Sequence, residues 1–274
     1  MRQLTPVVLL LALAGLAGCG GDDKPSSDQS GSTTPTATPS AAQAVPAPAG
    51  DACYAMTFDQ AVAPTTEADA RPCAKPHTTE TYAVGRLDNV VDGHLLAVDS
   101  DQVQQQVSSA CAKPLTGYLG GDVESLRLSM LRPVWFTPTV EQSEAGASWY
   151  RCDVIAVAGP DKLVRLKGRL KGVLGGDSAD SYAMCSTAKP GNSDFTRVPC
   201  SQPHSWKAIS TVALPAGKYP GEKAAEDAST TPCRDAARDL ASDALKFEWG
   251  HEWPTADQWN AGQTYDICWA PDES

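Results

Sequence analysis

The chain has 274 residues, 42% of them hydrophobic, and a formal net charge of −11 from 22 basic against 33 acidic residues. That length suits one or two packed domains, and 22 glycines with 21 prolines imply many turns and some unstructured chain. The charge balance argues against nucleic acid and against the surface of anionic lipids, because phosphate binding needs clustered Lys and Arg; the one locally basic stretch, residues 163–171, reads as a solvated face.

At the N-terminus a single cation, Arg2, precedes an apolar run over residues 7–16 and then Leu16-Ala17-Gly18-Cys19. A run this short, ending in small residues, is expected to be a signal peptide over residues 1–18 and not a spanning helix. Its ending resembles the lipobox of bacterial lipoproteins, in which the cysteine is acylated, with diacylglyceryl and palmitate-type chains, and becomes the new N-terminus. Two chains suffice for stable anchoring, so Cys19 is the expected lipidation site on the extracytoplasmic face of the cell membrane. Residues 19–50 are then a stalk, nearly all Gly, Ser, Thr, Pro, Ala and Asp, without an aromatic residue; such composition cannot offset its ordering entropy and is expected to stay disordered.

Eight further cysteines follow: Cys53, Cys73, Cys111, Cys152, Cys185, Cys200, Cys233 and Cys268. An even set in an exported chain implies disulfides. They frame a duplication. Pro72-Cys73-Ala74-Lys75-Pro76-His77 stands against Pro199-Cys200-Ser201-Gln202-Pro203-His204, both Pro-Cys-x-x-Pro-His. Pro138 precedes Cys152 by the same 14 residues that separate Pro254 from Cys268, and this ungapped register matches Gln142 with Gln258, Ala145-Gly146 with Ala261-Gly262, and Trp149 with Tyr265. The modules are placed at 51–159 and 182–274, joined by a connector at 160–181.

In chain order the elements repeat. An extended run is expected at 80–87 and again at 205–214 after each Pro-Cys-x-x-Pro-His. A helix is expected over 99–111, capped by Asp99, Ser100 or Asp101, and another over 231–246 with Pro232 in its first turn. Residues 126–136 read as a strand, and 148–158 alternate and carry Val, Ile and Tyr, as a strand closing the sheet does. The class is α+β: two tandem disulfide-stabilised modules, each a short, mainly antiparallel sheet with one main helix. Four cysteines allow three pairings per module. Sequence alone does not choose among them. Symmetry between the modules favours pairing within each module, and the sequential pattern is the expected one: Cys53–Cys73 with Cys111–Cys152 and Cys185–Cys200 with Cys233–Cys268.

The pattern Val198-Pro199-Cys200-x-x-Pro-His204, then Leu214-Pro215-Ala216-Gly217-Lys218-Tyr219-Pro220-Gly221, Cys233, Pro254, Trp259-x-x-Gly262 and Cys268 resembles the septum-formation domain of actinobacterial envelope proteins. The connector Lys167-Gly168-Arg169-Leu170-Lys171-Gly172 resembles the Gly-Ser-Leu-Lys/Arg-Gly element of that group. The resemblance covers both modules and is stronger in the second; the first carries residues 88–96 in place of the Leu-Pro-Ala-Gly-x-Tyr-Pro-Gly stretch. It implies a role in the cell envelope, at the division septum, and brings no catalytic residues with it.

Candidate chemistry is sparse. His77 and Glu80 could lie close enough for metal binding, but Lys207 replaces the acid in the second copy, which argues against a shared metal site; His77 and His204 are expected to hydrogen-bond their own turn and back the neighbouring disulfide. A Ser–His–acid triad would draw on His77, His94, His204 or His251, yet no Gly-x-Ser-x-Gly elbow is present. The carboxylates Asp122, Glu124, Glu141 and Glu144 form no marked pair. No catalytic, cofactor or metal site is therefore expected. Trp249, Trp253 and Trp259 crowd the end of the second module and form the candidate partner surface, able to stack on sugars or grip a protein. The expected function is non-catalytic: a lipoprotein presenting tandem binding or scaffold modules to an envelope protein or cell-wall glycan. The alternative is an envelope hydrolase with its site between the modules.

Overall fold

Two copies of one supersecondary plan follow each other along the chain in a computed structural model that describes residues 44–272. The signal peptide at 1–18, Cys19 and the stalk as far as residue 43 lie outside the described residues; residues 44–50 carry neither helix nor strand. The first copy comprises β1 (Cys53–Tyr54), α1 (Phe58–Val62), β2 (Thr79–Arg86), a small hairpin of β3 (Val90–Val91) and β4 (His94–Leu95), α2 (Asp101–Leu119), α3 (Val123–Arg127), β5 (Leu131–Phe136), α4 (Val140–Glu144), β6 (Trp149–Gly159) and β7 (Lys162–Leu163). After a 3-10 turn at Val173–Gly175 and α5 (Ala179–Tyr182), the second copy comprises β8 (Met184–Ser186), β9 (Arg197–Pro199), β10 (Trp206–Ala213), α6 (Glu222–Leu240), β11 (Gly250–Glu252), α7 (Ala256–Asn260) and β12 (Tyr265–Pro271). The fold is α+β, as expected.

The sheets run β1-β2-β6-β5, with β7 beside β6, and β11-β12-β10-β8-β9. Read from opposite ends these are the same order, because β8, β10, β12 and β11 stand where β1, β2, β6 and β5 do. The pairings are antiparallel, and the central pair bulges at the same place in both copies: between Thr81 and Ala83 against β6, and between Ala208 and Ser210 against β12. The short helices before the last strands match as well. Thr139 with Gln142, and Thr255 with Gln258, close reciprocal capping boxes. Gly146 and Gly262 then turn the chain at φ 99° in each copy, a backbone region in which a Cβ is strained.

Each main helix presents a stripe at four-residue spacing to its sheet: Val103, Val107, Cys111, Leu115 and Leu119 in α2, and Ala225, Ser229, Cys233 and Ala237 in α6. The helices therefore run further than the cysteine spacing suggests. The first was expected at 99–111 and runs from Asp101 to Leu119; the second was expected over 231–246 and instead runs from Glu222 to Leu240. Pro114 and Pro232 are both interior. Each removes one backbone bond and crowds the carbonyl four residues back, at about 3 kcal/mol, which the buried stripe on both sides of the proline and the disulfide to the sheet offset. The strand expected at 126–136 also divides: Asp122 caps α3 through Ser125, and the strand begins only at Leu131.

The disulfides are Cys53–Cys73, Cys111–Cys152, Cys185–Cys200 and Cys233–Cys268, the sequential pattern in each copy. One bridge ties the entrance strand to the Pro-Cys-x-x-Pro-His turn, and the other staples the main helix to the last strand.

The segment after β7 packs on the first sheet. Leu166 exchanges backbone hydrogen bonds with His77, Gly168 donates to Cys73, and Gly172 donates to Tyr118. Leu166 and Leu170 bury against Leu115, Leu119, Leu131, Val154 and Ala156. Glu80, fully buried, accepts from the Leu170 amide at 2.7 Å and from the Tyr118 hydroxyl at 2.6 Å, with Arg169 Nη1 at 3.4 Å. These partners are what let a carboxylate sit there, since an unpaired one would be costly. A second core joins the two sheets: Met130 meets Met184, Trp206, Ala208, Ile267 and Trp269. Met130 and Met184 donate across the seam to Tyr182 and Leu128, each at 2.7 Å. Through this seam the described residues form one compact unit.

Candidate functional site: an aromatic cleft on the second module

Trp249, His251 and Trp253 follow one another at every second residue along β11 and its flanks, so strand geometry sets them on one face. The His251 ring lies 5.3 Å from the Trp249 ring and 5.0 Å from the Trp253 ring. These three line a cavity of about 510 Å³ together with Lys189, Pro190 and Gly191 from the β8–β9 loop. That loop approaches closely because Gly250 has no side chain; a Cβ there would stand 3.0 Å from Pro190. The edge strands of the sheet also meet here through Arg197 and Glu252, Nε to Oε2 3.1 Å. Burial raises the Glu252 pKa and Arg197 opposes it.

Beneath the aromatic face, behind the residues that line the cleft, lies a buried polar floor. The Ser229 hydroxyl on α6 and His251 Nδ1 share a hydrogen bond at 2.7 Å. Asp266, on β12, is fully buried, and neither of its carboxylate oxygens reaches a hydrogen-bond partner among the described residues. Burial pushes its pKa up to about 6, and the nearby Ser229 hydroxyl offsets this only in part. Burial lowers the His251 pKa, against a pull upward from Glu226. Ser, His and Asp are thus together, but Ser229 is 0% exposed and cannot reach an external electrophile. What the arrangement does is hold the imidazole: with Nδ1 engaged by Ser229, Nε2 is the ring nitrogen left for other contacts.

The first copy shows what this position looks like without a polar floor. Trp135 pairs with Cys152 across the strands as His251 pairs with Cys268. Val107 precedes Cys111 by four residues as Ser229 precedes Cys233, and Tyr150 precedes Cys152 as Asp266 precedes Cys268. Val107, Trp135 and Tyr150 pack together in an apolar cluster. Trp135 Nε1 donates to Gln104, whose place in the second copy is taken by Glu226. One framework therefore carries an apolar plug in the first copy and a buried Ser–His–Asp group under an open cleft in the second. Sequence reasoning missed Ser229 and Asp266. The signal was available in the Pro138-to-Cys152 register, which places His251 over Trp135 and Asp266 over Tyr150.

Of the three tryptophans expected to form one surface, Trp249 and Trp253 do lie together. Trp259 lies outside that cleft: it is 7% exposed, packs with Leu214, Ala225 and Tyr219 in a core against which Trp253 also packs, and donates to the Gly217 carbonyl. It belongs to the core because α7 turns its ring inward beneath the Leu214–Tyr219 loop. His77 and His204 each hydrogen-bond through Nδ1 to the carbonyl two residues earlier, at 2.8 and 2.7 Å, and lie against the entrance disulfide. Ligand atoms of Cys53, His77 and Glu80, and of Cys185, Cys200 and His204, fall within 4.8 Å. In the disulfide form these sulfurs have no thiolate to offer a metal. The second copy has an acid after all, since Asp272 Oδ2 stands 3.7 Å from His204 Nε2, supplied from beyond β12 and not from the Glu80 position. His94 is exposed on β4. Asp122 caps α3, Glu124 accepts from Thr211 across the seam, and Glu141 and Glu144 are exposed on α4. A second cavity of about 500 Å³ lies between the copies, beside Met130, Arg132 and Arg197; Glu252 in its lining is partly buried and paired with Arg197.

A duplicated α+β scaffold, stapled twice per copy, with an open aromatic cleft on the second copy, defines a tandem-module protein. The family model described as septum formation matches residues 19–142 and 52–268, and the chain belongs to that family. The two overlapping ranges are consistent with tandem copies of the domain. Membership suggests a function related to septum formation and cell division. No curated protein and no solved structure matches the chain. Among the described residues no helix is long and apolar enough to cross a membrane.

Proposed function

We propose that this protein is a non-catalytic lipoprotein of the cell envelope, anchored through Cys19 on the extracytoplasmic face, that works in septum formation by binding an envelope protein or cell-wall glycan in the Trp249–His251–Trp253 cleft. The observation that carries the reading is the divergence between copies. Burying Ser229 and Asp266 beside a half-buried His251, where the other copy packs Val107, Trp135 and Tyr150 together, is costly for stability, and the cost coincides with a place where two half-exposed tryptophans flank an open cavity. Aromatic walls with a few fixed polar groups are the usual make-up of a binding pocket.

Two substitutions test the two halves of this reading separately. Cys19→Ala is expected to abolish labelling by radioactive palmitate and release the protein from the membrane; retained label would remove the anchor. Trp249→Ala with Trp253→Ala is expected to leave the label, the fold and the disulfides intact while failing to restore normal septa in cells lacking the protein. Full restoration by that double variant would remove the cleft from the account.

A further inference from the structure

The fold gathers cations that the sequence keeps apart. The bridge between His77 and Leu166 brings Arg165 beside the Pro-Cys-x-x-Pro-His turn of the first copy. Arg71, Lys75 and Arg165 then line a cavity of about 510 Å³ with Met56, Thr57 and Gln60, and no carboxylate is among its lining residues. Lys167 and Lys171 continue the same strap and are exposed. Among the described residues none of these five cations makes an ion pair, although the chain carries 33 acidic residues. Arg71 is oriented by donating from Nη1 to the Pro76 carbonyl at 3.0 Å. The expectation that this chain lacks a clustered basic site holds for its linear sequence and not for its surface.

The second copy shows what the same face does when it has a partner. Val198 and Gln202 occupy the positions of Arg71 and Lys75 relative to the cysteine of the turn. Val198 is 6% exposed, and Gln202 donates to the Ala158 carbonyl on β6 at 3.2 Å, so this face of the second copy is seated on the first. The corresponding side chains of the first copy, Arg71 and Lys75, are exposed, and charged instead of neutral.

We propose that the Arg71–Lys75–Arg165 cleft is a binding site for a phosphate group, carried either by an anionic lipid headgroup or by a soluble phosphate-bearing molecule. Unpaired cations at the mouth of a concave site concentrate anions, and guanidinium forks match phosphate oxygens where a point charge does not. The volume suits a headgroup or a sugar phosphate. The site is separate from the aromatic cleft and stands or falls without it.

The test uses the full chain, kept in uncharged detergent and titrated with glycerol phosphate, and in parallel floated with vesicles of phosphatidylcholine alone or mixed with phosphatidylglycerol. A lipid anchor would contribute equally to both vesicle types, so the difference between them reads the site. Arg71→Ala, Lys75→Ala and Arg165→Ala together are expected to weaken binding by about tenfold or more, and added salt is expected to weaken the wild type. Lys113→Ala, Lys218→Ala and Lys246→Ala remove the same charge from exposed positions elsewhere and are expected to leave binding unchanged. Binding to glycerol phosphate assigns a soluble source, and preference for phosphatidylglycerol vesicles without it assigns the headgroup. No binding in either arm overturns the proposal, as does equal loss in both triple variants when melting and disulfide content are unchanged.

Discussion

His251 and Trp135 hold the same register position, each paired across the sheet with the strand cysteine that staples its own module's main helix. One is a half-buried imidazole bound to Ser229 and the other a tryptophan bound to Gln104. The duplicated framework has therefore been kept while the contents of one position were exchanged.

Asp266 is the member of the second-copy group with the clearest energetic signature. Its folded pKa, about 6, lies above that of an unfolded aspartate because of burial. The unfolded chain therefore releases this proton at lower pH, so stability falls as pH rises from about 4 to about 6 and stays lower above it. Asp266→Asn removes that loss. Thermal melting at pH 7.5 is expected to show a gain of about 1–2 kcal/mol, and melting at pH 4 little change.

The first copy buries its charges elsewhere. Arg151 donates to both carboxylate oxygens of Asp153, at 3.0 and 2.9 Å, while Thr81 donates to one of them at 2.7 Å. The guanidinium is stacked over Tyr54 and Phe136, at 4.0 and 4.4 Å from the ring centres. Arg151→Ala leaves Asp153 buried without its partner and is expected to cost about 3–5 kcal/mol in denaturant unfolding. Arg151→Met with Asp153→Leu is expected to recover a substantial part of it, because no charge is then left unpaired.

The tryptophans separate by role. Trp259→Ala opens a cavity in the core formed with Leu214 and Ala225 and is expected to cost about 3–5 kcal/mol. Trp249→Ala, at the wall of an open cleft, is expected to stay within about 1 kcal/mol of the wild type. Equal losses at the two positions would mean that the cleft wall is structural.

The helix-to-strand staples close separations of 41 and 35 residues. Replacing Cys111 and Cys152 by Ala, or Cys233 and Cys268 by Ala, is expected to lower stability by about 2–4 kcal/mol in each case. Similar effects are expected in the two copies because the staples join equivalent elements.

Much of the architecture was legible because cysteine spacing is rigid information. The Pro-Cys-x-x-Pro-His repeat and the 14-residue interval pointed to two copies and to both last strands; the disulfide pairing was open among three patterns per copy, and the structure forms the sequential one. Helix limits were less legible. Pro232 resembles a first-turn proline, and only the stripe of Ala225, Ser229, Cys233 and Ala237, buried by contacts distant in sequence, carries the helix through it. The packing of 164–174 on the first sheet was hidden for the same reason, since the buried partner of Leu170 is Glu80 across the fold. The polar floor was the least legible part. Ser229, His251 and Asp266 lie on three elements, and no local pattern joins them.

The central claim is that the second copy's cleft is where a partner binds, and cross-linking in cells reads it most directly. A photoreactive residue replacing Lys189, which lines the same cavity as Trp249 and Trp253, would be activated during division and its adducts identified by mass spectrometry. The account predicts one dominant envelope protein or glycan adduct, lost when Trp249→Ala and Trp253→Ala are added, and absent when the photoreactive residue replaces exposed Gln105 of the first copy. The same adduct from both positions, or one unaffected by loss of the tryptophans, would contradict it.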